Sequence, residues 1–352
     1  MSACSDPQPP NLGGPTTFTT MAISIDDIKK LRAMTGAGLA DVKKALTEAE
    51  GDFDKAKELL RERGLAIAAK RSDRETSNGC VLVKAVEGFA ATLALKCETD
   101  FVANGADFIA LTQSILDAAV ANKCQTLDEV KELTLADGQK AQDAVTQRSG
   151  ITGEKMELDG YLTLEGENIE VYDHMGKHTL ATMVQTNKPA AEEGHKVAMQ
   201  VAAMKPVALD AQSVSQAILD EEYKTAVEKT KLEQVEKYVE VVLKKAGINP
   251  NLVDSEDHIE SNMAKGWLTQ EQADEARKLK VQAAEEKAKT LNPQMIENIA
   301  KGRVQKFLKE NCLVDQEFQF GDGDKATVAQ WLAKQDKELK VVAFKRFTLA
   351  AE

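Results

Sequence analysis

The hydrophobic period of this chain changes sharply at Gly79. Upstream, from Ser24 to Gly64, apolar residues recur every three or four positions, which is the spacing of helices. Downstream, CVLVKAV and FAATLALKC alternate with period two on either side of Glu87-Gly88, the signature of a β-hairpin. From about Val214 to Leu308 the helical period returns and holds. Helices and strands therefore come in blocks. A doubly wound parallel sheet needs them to alternate one for one, so an α+β fold is expected.

The first block reads as three short helices. Ile25, Ile28, Leu31 and Met34 mark the first, with Ser24 as its cap and Asp27 three residues on. Thr35-Gly36-Ala37-Gly38 ends it, and Leu39, Val42, Ala45 and Leu46 mark the second. Gly51-Asp52 recaps the chain for a third, carrying Phe53, Ala56, Leu59 and Leu60. A bundle this small is marginal alone. AIAAKRSDRETSN reads as a linker into the next domain, and MSACSDPQPPNLGGPTTFTT as a disordered leader, with Met21 a candidate start.

After the hairpin comes a helix with Phe108, Leu111, Ile115 and Ala119. A second strand-rich block follows at Lys155–Leu164, Ile169–His174 and His178–Gln185, expected to form a second antiparallel sheet. Both blocks end alike: a strand, Glu98-Thr99-Asp100 or Gln185-Thr186-Asn187, a short loop, then a helix. That suggests a core of two related halves. The long helical block carries Leu232, Val235, Val239, Val242 and Leu243 outward, and Ile296, Ile299, Ala300, Val304 and Phe307 back, as a projecting antiparallel hairpin. Lys340–Leu349 alternates as a closing strand for the second sheet. The expected division is 1–20 leader, 21–74 three-helix domain, 75–150 first core half, 151–213 second half, 214–310 hairpin, and 311–352 closing helix and strand.

Bulk properties narrow the function. A net charge of -12 argues against a nucleic-acid surface, which needs clustered Lys and Arg. Five cysteines, an odd number without C-x-x-C spacing, fit a reducing compartment rather than a disulfide framework. No apolar run approaches the roughly 20 residues that span a bilayer, so no membrane role is expected. The chain reads as soluble and cytoplasmic.

Catalytic patterns are scarce. Gly36-Ala37-Gly38 has Asp41 where a dinucleotide loop needs its last Gly, and no phosphate-binding G-x-x-x-x-G-K-[ST] exists. His174 and His178 sit in HMGKH, where Met175-Gly176 reads as a hairpin turn rather than part of a zinc helix. His195 and His258 read as surface or packing residues. No cofactor, metal or enzymatic site is expected.

CETDFVAN at 97–104 is the exception, a strand-to-helix turn bearing an aromatic ring beside a carboxylate. One reading has Thr99 or Asp100 capping the turn while Phe101 folds into the core. Composition alone favours that one. The other has Phe101 standing outward as a wedge, with Asp100 placed to act on a partner, because aromatic residues on rigidly held turns make good anchors.

Four stretches carry a resemblance: KKLRAMTGAGLADVKKAL at 29–46, TDFVAN at 99–104, HTLATMVQT at 178–186 and GRVQKFLKE at 302–310. In that order they resemble the elongation factor Ts family, guanine-nucleotide exchange factors for elongation factor Tu. The resemblance implies a ubiquitin-associated-like N-terminal domain, a two-halved core, a projecting hairpin and no covalent chemistry. It implies that Thr99, Asp100, Phe101 and Val102 push beside the magnesium site of GDP-bound elongation factor Tu. It also implies partner contacts at Lys29, Leu31, Arg32, Leu39, Thr152, Gly153 and His174. The hairpin, lengthened over about 224–292, departs from the family's commonest form, and the chain stops soon after VVAFKRFTL, without the extra C-terminal helix some members use. Whether the complex is one-to-one or two-to-two, and what the hairpin touches, stay open. A scaffolding module that binds regardless of nucleotide is the rival reading.

Overall fold

The structure, a computed structural model, describes residues 23–321, 323 and 325–350. The expected leader and Met21 lie outside the described residues. The chain folds as two compact units: one runs up to Lys84 and resumes over Ala91–Leu162, and the other joins Ala85–Ala90 to Thr163–Phe347.

The first unit opens with α1 (Ile25–Thr35), α2 (Leu39–Glu48) and α3 (Phe53–Ala69). Ser24 and Asp27 form a reciprocal capping box on α1, satisfying amides that have no partner within the helix. Gly36 ends the helix in the left-handed region at φ 67° and donates its N–H to the Arg32 carbonyl. Leu31, Val42, Ala45, Leu46, Ala56 and Leu60 fill the bundle core. The expected stripes are longer than this core. Ile25 (72% exposed) and Met34 (54%), at the two ends of the first stripe, and Leu39 (57%), at the start of the second, are more than half exposed.

The hairpin follows as β1 (Asn78–Val86) and β2 (Phe89–Cys97), turning at Gly88 with φ 75°. Next come α4 (Asp100–Ala103), α5 (Ala106–Ala121), α6 (Leu127–Glu132), α7 (Ala141–Thr152) and β3 (Met156–Glu165). Strand order in the sheet is β1-β2-β3. The central strand, β2, is buried at every position except half-buried Lys96, which is why it reads as a continuous apolar run. The strand expected at Lys155–Leu164 therefore belongs to this sheet and not to the second. Alternation defines a strand but not its neighbour. Polar contacts accompany the pairing: the Lys155 N–H donates to Glu98 Oε1 at 2.6 Å, and Lys96 pairs with Asp159.

In the second unit, β4 (Ile169–Asp173) pairs antiparallel with β5 (Leu180–Thr186), from Ile169 opposite Gln185 to Asp173 opposite Ala181. After α8 (Ala191–Met204) come the long α9 (Gln216–Lys245), the short α10 (Glu256–Ala264), α11 (Gln270–Lys289) and α12 (Pro293–Asn311). Both α11 and α12 pack along α9, so the returning arm of the hairpin is two helices. The break falls at Asn292-Pro293, where Asn292 caps and Pro293 occupies the first turn. Thr269 and Gln272 form the capping box that starts α11. The far end has its own core of Leu243, Ile248, Val253, Ile259, Leu268 and Ala273. Finally α13 (Val328–Gln335) leads to β6 (Val341–Thr348), which lies beside β5 in the order β4-β5-β6. Val184, Val197, Val201, Leu332 and Val341 pack this sheet against its helices. The protein is an α+β fold with an N-terminal helical domain and two small antiparallel sheets.

Candidate functional site

The helix α4 is a single turn and can bury only one face. Ala103 takes that face, leaving Asp100, Phe101 and Asn104 directed outward. Phe101 is 87% exposed, so the reading in which its ring folds into the core is overturned. Behind the turn, the buried aromatic is Phe108 of α5.

Hydrogen bonds hold the turn from beneath. The Thr99 side chain accepts the Val102 N–H at 3.4 Å, a cap on the first turn. Its hydroxyl donates to Glu154 Oε1 at 2.6 Å, while the Thr99 N–H donates to Glu154 Oε2 at 3.0 Å. The Asn104 amide donates to the Asp100 carbonyl at 2.8 Å. One residue earlier, Glu98 accepts from the Lys155 N–H and from Arg74 Nη1 at 3.1 Å. The Lys155 N–H, and after it Arg74, hold the Glu98 carboxyl below its ordinary pKa. Asn78 donates to the Glu98 carbonyl at 2.8 Å. Cys97 is wholly buried, and burial, with the nearby Glu154 charge adding to it, pushes its thiol up to about 12.

The other expected residues fall in three places. Thr152 and Gly153 close α7 immediately before Glu154, so they adjoin the frame beneath the turn. The Thr152 hydroxyl donates to the Arg148 carbonyl at 3.1 Å and accepts the Glu154 N–H at 3.3 Å. Gly153 is left-handed at φ 78°, and a Cβ there would meet Arg71 Nη1 at 2.9 Å. Lys29 and Arg32 are exposed on α1, and Leu39 is exposed at the start of α2. Leu31 is a correction: its side chain is wholly buried in the bundle core, so it supports that surface and cannot line it.

His174 lies in the second unit, in the loop joining β4 to β5. Its Nδ1 is 3.3 Å from the Tyr172 hydroxyl, and the two rings meet edge to face with centroids 5.7 Å apart. His178 instead pairs with Asp173 at 2.5 Å. The two imidazoles of HMGKH thus take separate partners. Among the described residues no group of three or more His, Cys, Asp or Glu side chains is placed to hold a metal, and no helix is long and apolar enough to cross a membrane.

The second strand-turn-helix differs at the equivalent point. Thr186 is buried, and Asn187 donates to the Glu338 carbonyl and accepts the Lys340 N–H, both at 2.8 Å. Lys188, in the place of Phe101, pairs with Asp336 at 2.5 Å. One turn is covered by the approach to β6; the other presents an unpartnered ring. Glu154 and Arg74, which bind Thr99 and Glu98 beneath that ring, carry no motif that marks them in the sequence. The only signal was an acid directly after the Thr152-Gly153 helix end.

A family model described as Elongation factor TS matches residues 98–351. Elongation factor Ts of Bacteroides fragilis is 61% identical over 333 residues, covering 94% of this chain and 100% of that protein. The Parabacteroides distasonis and Porphyromonas gingivalis proteins of the same name are 58% identical over 332 residues and 41% over 333, again covering 94% of this chain and all of theirs. With the motifs and the fold in agreement, the chain belongs to the elongation factor Ts family of translation elongation factors.

Proposed function

We propose that this protein binds GDP-bound elongation factor Tu in the cytoplasm and promotes GDP release, so that the GTP form can be restored for the next elongation step. The observation that carries this reading is the exposure of Phe101 on a turn tied down by Glu154 and Glu98. A GTPase holds nucleotide largely through phosphate-loop donors and a magnesium ion bridging the phosphate oxygens. An apolar wedge with Asp100 beside it, pressed against the loops that hold this ion, weakens the nucleotide without competing for its base.

The effect is a coupling free energy and is reciprocal: if the factor loosens GDP, GDP loosens the factor equally. A coupling of about 3 kcal/mol corresponds to about 150-fold. No covalent step is involved. Thr99 to Val102 form the wedge, while Lys29, Arg32 and Leu39 of the N-terminal domain, Thr152 and Gly153 beside the turn, and His174 supply affinity. The test is release of fluorescent GDP from elongation factor Tu with and without this protein. Accelerated release, together with loss of the complex in excess GDP, is expected. Nucleotide-insensitive binding without acceleration would leave only a scaffold.

A further inference from the structure

Resting on that proposed function, the geometry points to Glu154 as the positioning residue that makes the Phe101 turn an effective wedge. A ring on a loose turn would yield when pressed against a partner. Whether it pries depends on what resists its displacement, and the backbone of a one-turn helix offers little resistance by itself.

Glu154 supplies that resistance by taking both donors of Thr99. Its carboxylate receives the Thr99 N–H at 3.0 Å and the hydroxyl at 2.6 Å, a two-pronged, charge-assisted grip. The hydroxyl has one proton. Once that proton is committed to Glu154, the oxygen's lone pairs are free to accept the Val102 N–H at 3.4 Å. The grip thus passes through Thr99 into the backbone that flanks Phe101 on both sides.

Glu154 is itself anchored at both ends of its backbone. Its N–H meets the Thr152 hydroxyl at 3.3 Å, and its carbonyl accepts the Ser149 hydroxyl at 2.5 Å. Beyond it, Lys155 donates its N–H to Glu98 and its Nζ to the Arg74 carbonyl at 3.0 Å. Load on the ring is therefore carried into the end of α7, the start of β3 and the segment leaving the N-terminal helices. Glu154 touches neither nucleotide nor magnesium in this scheme; it acts only through the turn.

The experiment compares wild type, Glu154→Ala and Glu154→Gln in fluorescent GDP release over a range of factor concentrations, with peptide-level amide exchange on the free proteins. Glu154→Ala is expected to lower the saturating release rate about tenfold, while the concentration for half-maximal release moves less than about twofold. Exchange over 97–104 should rise with that over β1 and the first part of β2 unchanged, which also shows that the variant is folded. Glu154→Gln keeps an acceptor for the Thr99 N–H and should fall between the two.

A saturating rate equal to wild type overturns the inference, as does unchanged amide protection of 97–104. So does a rise in the half-maximal concentration at a constant saturating rate. If wild type itself fails to accelerate release, the proposed function fails and takes this inference with it. Loss of exchange protection throughout Glu154→Ala would place Glu154 in general stability and likewise overturn its specific role, unless Glu154→Gln, folded, shows the slowed release.

Discussion

Gly150 of α7 lies so close to Gly64 of α3 that a Cβ on Gly150 would sit 2.3 Å from the Gly64 Cα. The reverse is not true: a Cβ on Gly64 meets its nearest neighbour, the Gly150 Cα, at 3.7 Å, an ordinary contact. The joint between the N-terminal helices and α7 therefore depends on one missing side chain, not two. Gly150→Ala should part the helices and cost about 1–3 kcal/mol, the range for overpacking. Gly64→Ala should be neutral or stabilising by up to about 1 kcal/mol, because alanine favours a helix interior. Chemical denaturation of both variants checks this, and equal effects would contradict it.

Phe101→Ala separates fold from function. The ring is almost fully exposed, so its removal should shift stability by no more than about 0.5 kcal/mol. As an interface anchor it should cost at least about 2 kcal/mol, which is more than tenfold in the effect on GDP release. Stopped-flow release and a thermal melt measure the two sides. A variant with wild-type release would remove the wedge.

The covered turn invites the opposite expectation. Asn187 exchanges side-chain hydrogen bonds with the Glu338 carbonyl and the Lys340 N–H, and its own N–H donates to the Lys340 carbonyl at 3.0 Å. Asn187→Ala removes the two side-chain bonds and should destabilise by about 1 kcal/mol, since water can reach the freed groups. Amide exchange should rise first at the start of β6. Unchanged protection there would mean that the Asn187 side chain does not hold the start of β6, and that its backbone bond to Lys340 and the pairing with β5 suffice.

Local signals were legible in the sequence wherever one residue satisfies its neighbour. Ser24 with Asp27 and Glu87-Gly88 act within a few residues, and each marks the boundary expected of it; Thr269 with Gln272 and Asn292-Pro293 start their helices over the same short range. What could not be read depends on partners far along the chain. The alternation of 155–164 fits any sheet edge, and the contacts that tie it to the β2 end, from Glu98 and Lys96, come from 57 and 63 residues away. Ile25, Met34 and Leu39 keep a helical period although each is more than half exposed. The outward direction of Phe101 follows from Ala103 occupying the single inward face of α4. The grip of Glu154 on Thr99 crosses a separation of 55 residues, and nothing in TDFVAN announces it.

Alkaline pH should weaken the first unit in particular. The buried Cys97 thiol is pushed up to about 12, and burial likewise raises the Tyr161 phenol, whose hydroxyl donates to the Cys124 carbonyl at 2.8 Å. In the unfolded chain these groups ionise near pH 8.5 and 10. Above those values the unfolded state binds fewer protons than the folded one, so stability falls as pH rises. The slope is at most about 1.4 kcal/mol per pH unit for each group. For Cys97 the decline begins above about pH 8.5 and continues toward 12. Urea midpoints between pH 8 and 11 should fall for wild type and fall less steeply for Cys97→Ala, which has no thiol to ionise. Identical slopes for the two proteins would mean that Cys97 ionises as readily folded as unfolded, and that the strand end beneath the turn is open to water.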